Sequence, residues 1–244
     1  MGSDSYSNIS TIYNDLVRHV NYSGWADYLN ELIAKYQIKT DFVLELASGT
    51  GRMLPAMKLS SKLTILSDRS FRMIDQAPAD AVKMCIDMTE IPFKQKFDLV
   101  ISCFDSVNHL STRESLIKFF NEVKRVLVSG GYLLFDIVTE QNSYAYVGSY
   151  SKKRKQGNLV YQQASNYDPV RKIHKNSFVI NLPDNTKIEE DNYEYIYSTE
   201  MIDELLKECN FTIMKKFEAF TLKGVNQKTF RIQYVTRSMD DTGV

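Results

Sequence analysis

The chain has 244 residues, 43% of them hydrophobic and 25% charged, an ordinary balance for a globular protein. Its 30 Lys and Arg residues match 30 Asp and Glu, which excludes a strongly basic nucleic-acid surface as its main binding device. It has no apolar run of about 18 residues, so no spanning helix is expected. The polar start suggests no secretory segment, and Tyr6 stands where an acylation signal opening Met1-Gly2-Ser3 needs Ser or Thr. The expectation is a cytoplasmic protein. Its three cysteines, Cys85, Cys103 and Cys209, are then reduced and buried. Neither they nor His19, His109 and His174 show metal-ligand spacing, so no metal is expected.

Residues 11–37 read as two amphipathic helices broken near Asn21 to Gly24. Then the period changes. Phe42 to Leu46 is a short apolar run closed by small residues, which predicts a buried strand. Arg52 to Leu59 suits a helix, Leu63 to Leu66 a second strand, and Ser70 an N-cap. Val82 to Ile86 and Phe97 to Cys103 are further strands. Residues 113–128 form a strongly amphipathic helix, with Ser129-Gly130-Gly131 as its stop and a fifth strand from Tyr132 to Val138.

This alternation predicts a parallel α/β sheet with right-handed crossovers. After Thr139 the pattern changes. Residues 158–197 alternate in period two, with turns at Asp168-Pro169 and Pro183-Asp184-Asn185, as in an antiparallel meander. Ser198 or Thr199 caps a helix to about Cys209, and strands at 211–220 and 229–237 close the chain. Three regions follow: residues 1–138 as helical lid and core, 139–198 as an inserted cap, and 199–244 completing the core.

The segment carrying most chemistry is Leu44-Glu45-Leu46-Ala47-Ser48-Gly49-Thr50-Gly51, a strand running into a Gly-x-Gly turn. A ligand across strand ends needs close backbone approach, which small residues permit. A dinucleotide fingerprint starting at Gly49 would need glycine where Leu54 stands. Glu45 would also repel a pyrophosphate. The pattern suits a cofactor with positive charge and no phosphate.

This segment resembles motif I of the class I S-adenosylmethionine-dependent methyltransferases, and the likeness extends through later motifs over about residues 8–138. It implies a Rossmann-like seven-stranded, mostly parallel sheet with helices on both faces and an inserted antiparallel β flap. The resemblance makes Asp68 the ribose-binding acid. Arg69 and Met73 then pack the adenine, while Asp87 binds its amine and Met88 covers the ring. Glu45, Ala47, Gly49 and Gly51 form the cofactor turn, with Ala47 in place of a glycine. Ile12 to Leu16 is similar to a small-molecule subgroup in which a tyrosine, here Tyr13, closes over the methionine part. Trp25 and Tyr28 either join that lid and meet the substrate or pack in the core. Arg52 either meets the cofactor carboxylate or is a solvated helix start.

The segment Cys103 to Leu110 follows the fourth strand, so Phe104, Asp105 and His109 are expected beside the cofactor methyl. His109 matches a histidine of the amino-sugar N-methyltransferase-like subgroup, as base or acceptor-orienting group; Asp105 either pairs with an ammonium or caps locally. Tyr193 and Tyr195 share a strand face with Tyr197, as aromatic wall or as packing. Ser151 to Lys155 reads as a solvated loop or a phosphate-binding run. The expected activity is methyl transfer to a small molecule, at an amine nitrogen by in-line displacement. The alternatives are O-methylation with His109 as base, RNA methylation, or a non-catalytic S-adenosylmethionine-binding partner protein. A monomer or homodimer without nucleic-acid or membrane partners is expected.

Overall fold

A computed structural model describes Tyr6 and residues 8–94, 96–148, 150–184 and 186–239. Met1-Gly2-Ser3 and Asn185 lie outside the described residues. An N-terminal strap contains a 3₁₀ turn, Ile9–Thr11, and helix α1, Tyr13–Leu16. Helix α2, Tyr22–Lys35, follows. Its N-cap is Asn21, whose side chain accepts the Gly24 N–H at 2.9 Å.

The alternating core then runs β1 (Phe42–Glu45), α3 (Met53–Met57), β2 (Leu63–Asp68), α4 (Phe71–Ile74), β3 (Val82–Cys85) and β4 (Phe97–Ser102). It continues with α5 (Arg113–Val126) and β5 (Leu127–Val138). Thr112 caps α5 in a reciprocal box with Ser115, and Leu116, Phe119, Phe120, Val123 and Val126 form its buried stripe. The expected glycine stop is corrected. Leu127 is already extended, and Ser129-Gly130-Gly131 lies inside β5, where the register against β4 slips. Gly130 supplies the positive φ of 72° that this bulge needs.

After α6 (Glu140–Ser143), four antiparallel strands form a separate sheet: β6 (Tyr150–Gln156), β7 (Leu159–Asp168), β8 (Ile173–Asn181) and β9 (Lys187–Tyr195). The basic run from Ser151 to Lys155 is therefore edge strand β6, not a loop. Helix α7 (Thr199–Glu208) starts at Ser198, whose hydroxyl accepts the Met201 N–H. Strands β10 (Phe211–Glu218) and β11 (Arg231–Ser238) finish the core.

The main sheet has seven strands in the order β10-β11-β5-β4-β1-β2-β3. Strands β5, β4, β1, β2 and β3 are mutually parallel, and β11 is antiparallel to both its neighbours, β5 and β10. Chain order reverses between β1 and β4, so a crevice opens at their carboxyl ends. Aliphatic and aromatic clusters fill both faces of the sheet. A third cluster ties the strap to the flap: Ile9 and Ile12 pack on Tyr161, Phe178 and Ile180. Cys103 and Cys209 are buried, but Cys85 is exposed because β3 is the sheet edge. No described helix is long and apolar enough to cross a membrane.

Candidate functional site

The turn after β1 enters the crevice through three residues with positive φ: Ala47 at 53°, Gly49 at 59° and Gly51 at 66°. The Ser48 N–H donates to the Ser67 carbonyl at 2.8 Å, and the Gly49 N–H to Asp68 Oδ2 at 2.8 Å. Asp68 Oδ1 accepts the Ser70 N–H at 2.8 Å, so two amides fix this carboxylate at the end of β2. Gly51 serves packing: a Cβ there would lie 2.7 Å from Ala77 Cβ.

A cavity of about 430 Å³ occupies the crevice. Glu45, Ala47 and Gly49 line it from the β1 turn, Asp68, Arg69 and Met73 from β2 and α4, and Asp87 and Met88 from beyond β3. Glu45 is 2% exposed. Its Oε2 accepts the Leu54 N–H at 3.2 Å, and burial pushes its carboxyl up to about 8. Asp87 Oδ1 accepts from the Thr89 amide and hydroxyl, both at 2.8 Å, with Arg69 Nη1 at 3.9 Å from its Oδ2. Tyr193 and Tyr195 of β9 line the same cavity. Arg52 lies over the Tyr22 ring, 4.5 Å from its centroid, and does not line the cavity.

A second cavity, of about 640 Å³, lies between the strap and the flap. Tyr6, Tyr13, Phe104, His109 and Asn192 line both cavities and form the wall where they meet. His109 is held at both ring nitrogens: Nδ1 lies 2.9 Å from the Tyr193 carbonyl and Nε2 lies 3.0 Å from the Tyr6 hydroxyl. A carbonyl only accepts, so Nδ1 carries the proton and Nε2 accepts from Tyr6. Burial holds the His109 pKa below its ordinary value, favouring the neutral ring.

Phe104 and Asp105 follow β4 with positive φ values of 60° and 53°, a strained pair for residues with Cβ atoms. Phe104 is braced from below by Trp25, with ring centroids 3.9 Å apart. Trp25 and Tyr28 depart from the lid expectation. They are 4% and 6% exposed, belong to the core with the half-exposed Phe220 ring against them, and line neither cavity. Asp105 lines the second cavity, not the first, and pairs with Arg231 at 2.8 Å.

The sequence reading missed Tyr6, Tyr22 and Glu190. Glu190 of β9 anchors the strap by accepting the Tyr6, Asn8 and Ile9 amides at 2.6, 2.9 and 3.3 Å. These links join residues far apart in the chain, and no local pattern announces them.

The cradle suits a cofactor with a cationic end and a polyol. Small or glycine backbone lies beside Glu45, and Asp68 stands at the end of the adjacent strand β2. Residues 44–135 match the methyltransferase domain family. Over 231 residues the chain is 26% identical to the Bacillus subtilis protein described as "Putative methyltransferase YqeM", covering 88% of this chain and 90% of that protein. A Clostridium acetobutylicum S-adenosylmethionine-dependent methyltransferase superposes with a TM-score of 0.82 at 25% identity, over 96% of this chain and 99% of that one. The sugar N-methyltransferase KedS8 from Streptoalloteichus shares the fold, with a TM-score of 0.75 at 13% identity over 92% and 90% of the two chains. Motifs, strand order and these likenesses agree on an S-adenosylmethionine-dependent methyltransferase, with residues 44–135 as its methyltransferase domain and S-adenosylmethionine as its cofactor.

Proposed function

We propose that the chain methylates an amine nitrogen of a small molecule. In this reading the first cavity takes the cofactor, with Glu45 facing its ammonium and Asp68 its ribose hydroxyls. Arg69, Met73, Asp87 and Met88 surround the adenine, while the backbone of Ala47 and Gly49 allows close approach. Tyr13 and Phe104 close over the reacting end and exclude water. Bound there, S-adenosylmethionine supplies a sulfonium methyl that a nitrogen lone pair takes in line, the C–S electron pair staying on sulfur.

The observation that carries the amine reading is the occupied His109 Nε2. A hydroxyl acceptor usually needs a base. The imidazole at the cavity wall has its lone pair engaged by Tyr6. A neutral amine needs position and desolvation rather than deprotonation. His109 then orients the acceptor and the Tyr6 ring. The sugar N-methyltransferase that shares the fold is consistent with this class of acceptor.

The test is transfer of labelled methyl to a panel of small amines and matched alcohols. Label should enter the amines, and His109→Asn should lower kcat less than about tenfold. Label in alcohols alone, with a loss of about 10²-fold or more in His109→Asn, would favour O-methylation with His109 as base.

A further inference from the structure

The flap has an unusual inner face. A sheet packed on a core presents apolar side chains on that face. Here Tyr161, Phe178 and Ile180 do so, packing on Ile9 and Ile12. Beside them the face turns polar. Ser165, Asn176 and Asn192 stand in direct register across β7, β8 and β9, and all three line the second cavity. Ser165 Oγ donates to Asn176 Oδ1 at 2.6 Å, and Asn176 Nδ2 donates to Glu194 at 3.0 Å. Asn192 is different. It is 4% exposed, and neither Oδ1 nor Nδ2 has a hydrogen-bond partner in the protein. Burying an amide unpaired costs free energy that a ligand in the cavity would recover.

The far end of the same cavity is cationic. Lys152 and Arg154 sit two residues apart on edge strand β6, on one face, and both line the cavity. Arg154 Nε is buried without a partner, while its guanidinium reaches the Asp15 carbonyl at 3.5 Å through Nη1 and the Tyr161 side chain. Among the described residues neither cation has a carboxylate partner. The nearby acids are engaged: Asp105 with Arg231 at 2.8 Å, and Asp15 with Arg18 at 3.1 Å and with the Tyr161 hydroxyl. Three strand spacings and two residues of rise separate the Asn192 and Lys152 Cα atoms by roughly 16 Å.

We propose that the second cavity is the acceptor site and that it takes an acceptor carrying an anion, a phosphate or a carboxylate, seated by Lys152 and Arg154. Asn192, at the wall shared with the first cavity, orients the end that receives the methyl group. The anion and the reacting atom therefore lie at opposite ends of an extended molecule. This rests on the methyltransferase reading of the first cavity.

The test uses the full chain saturated with S-adenosylhomocysteine. Inorganic pyrophosphate, citrate and neutral glucose are titrated in at low salt. At least one anion should bind, and Lys152→Gln/Arg154→Gln should weaken it tenfold or more while S-adenosylhomocysteine affinity holds. Pyrophosphate binding alone identifies a phosphoryl acceptor; citrate binding alone identifies a carboxylate. If the double variant does not fold, the exposed Lys152→Gln single variant carries the test, with at least a threefold loss expected. No anion binding, or binding unchanged in the variant that folds, would overturn the proposal. Failure of S-adenosylhomocysteine itself to bind would instead overturn the cofactor assignment on which it rests.

Discussion

Arg231 Nη2 lies 2.8 Å from Asp105 Oδ1, which ties the last strand of the fold to the turn at the mouth of the site. Arg231 Nη1 also pairs with the fully buried Asp136, whose Oδ2 accepts the Asp105 N–H at 3.0 Å. One arginine thus neutralises two acids and holds the strained Phe104–Asp105 turn. Removing one member of a buried ion network leaves the others unpaired. Arg231→Met is expected to cost about 3–5 kcal/mol in urea unfolding. Adding Asp105→Asn and Asp136→Asn to that variant should restore part of the loss. A cost below about 1 kcal/mol for the single change would contradict the role.

Gly51→Ala tests the cofactor turn as a packing problem. Its φ of 66° disfavours any Cβ, and the new atom would meet Ala77 at 2.7 Å and Leu66 at 2.8 Å. The expected destabilisation is about 1–3 kcal/mol, read as a lower denaturation midpoint with unchanged slope.

Glu45 is expected to make cofactor binding depend on pH. Burial raises its carboxyl from 4.5 to about 8, so the protein favours its protonated form. The corresponding stability is complete below pH 4.5 and is lost as pH rises through about 8. A ligand ammonium reverses that preference. Binding of S-adenosylhomocysteine between pH 6 and 7.5 should release a proton, with affinity rising by up to about tenfold per pH unit. Calorimetry in buffers of different ionisation enthalpy reads that proton directly. Glu45→Gln should abolish its release, and a wild-type value near zero would rule out the linkage.

Glu190 acts on the strap, not on the ligand. Glutamine at this position keeps the shape but removes the charge that three backbone amides share. Glu190→Gln should release S-adenosylhomocysteine faster by about tenfold, the kinetic equivalent of roughly 1.4 kcal/mol. The unfolding midpoint should move little, because the strap is a peripheral element. Stopped-flow displacement measures the rate, and an unchanged rate would separate the strap from cofactor retention.

The parts of the fold visible in the sequence are those encoded locally. Strand–turn–helix units such as Leu44 to Met57 carry their own period change and glycine turn, and residues 113–126 carry a complete amphipathic stripe. The glycines at 130 and 131 misled because a β-bulge and a helix stop need the same backbone freedom. The basic run at 151–155 looked like a loop because an edge strand carries charged side chains along its length. Trp25 drew attention as an aromatic near the strap, yet its partners Phe104 and Phe220 come from distant loops. The Tyr6–His109–Tyr193 chain, the Glu190 anchor and the unpaired Asn192 arise only when the flap folds back over the core.

The central claim is that the crevice at the carboxyl end of β1 holds S-adenosylmethionine through Asp68 of the neighbouring β2. Calorimetric titration of the full chain with S-adenosylmethionine, S-adenosylhomocysteine and NAD tests it most directly, alongside Asp68→Ala. Both sulfur compounds should bind and NAD should not. The variant should weaken their binding by about 1.5–3 kcal/mol for each hydroxyl bond lost, with the fold intact by circular dichroism. Equal binding of NAD, or unchanged affinity in a folded Asp68→Ala, would contradict it.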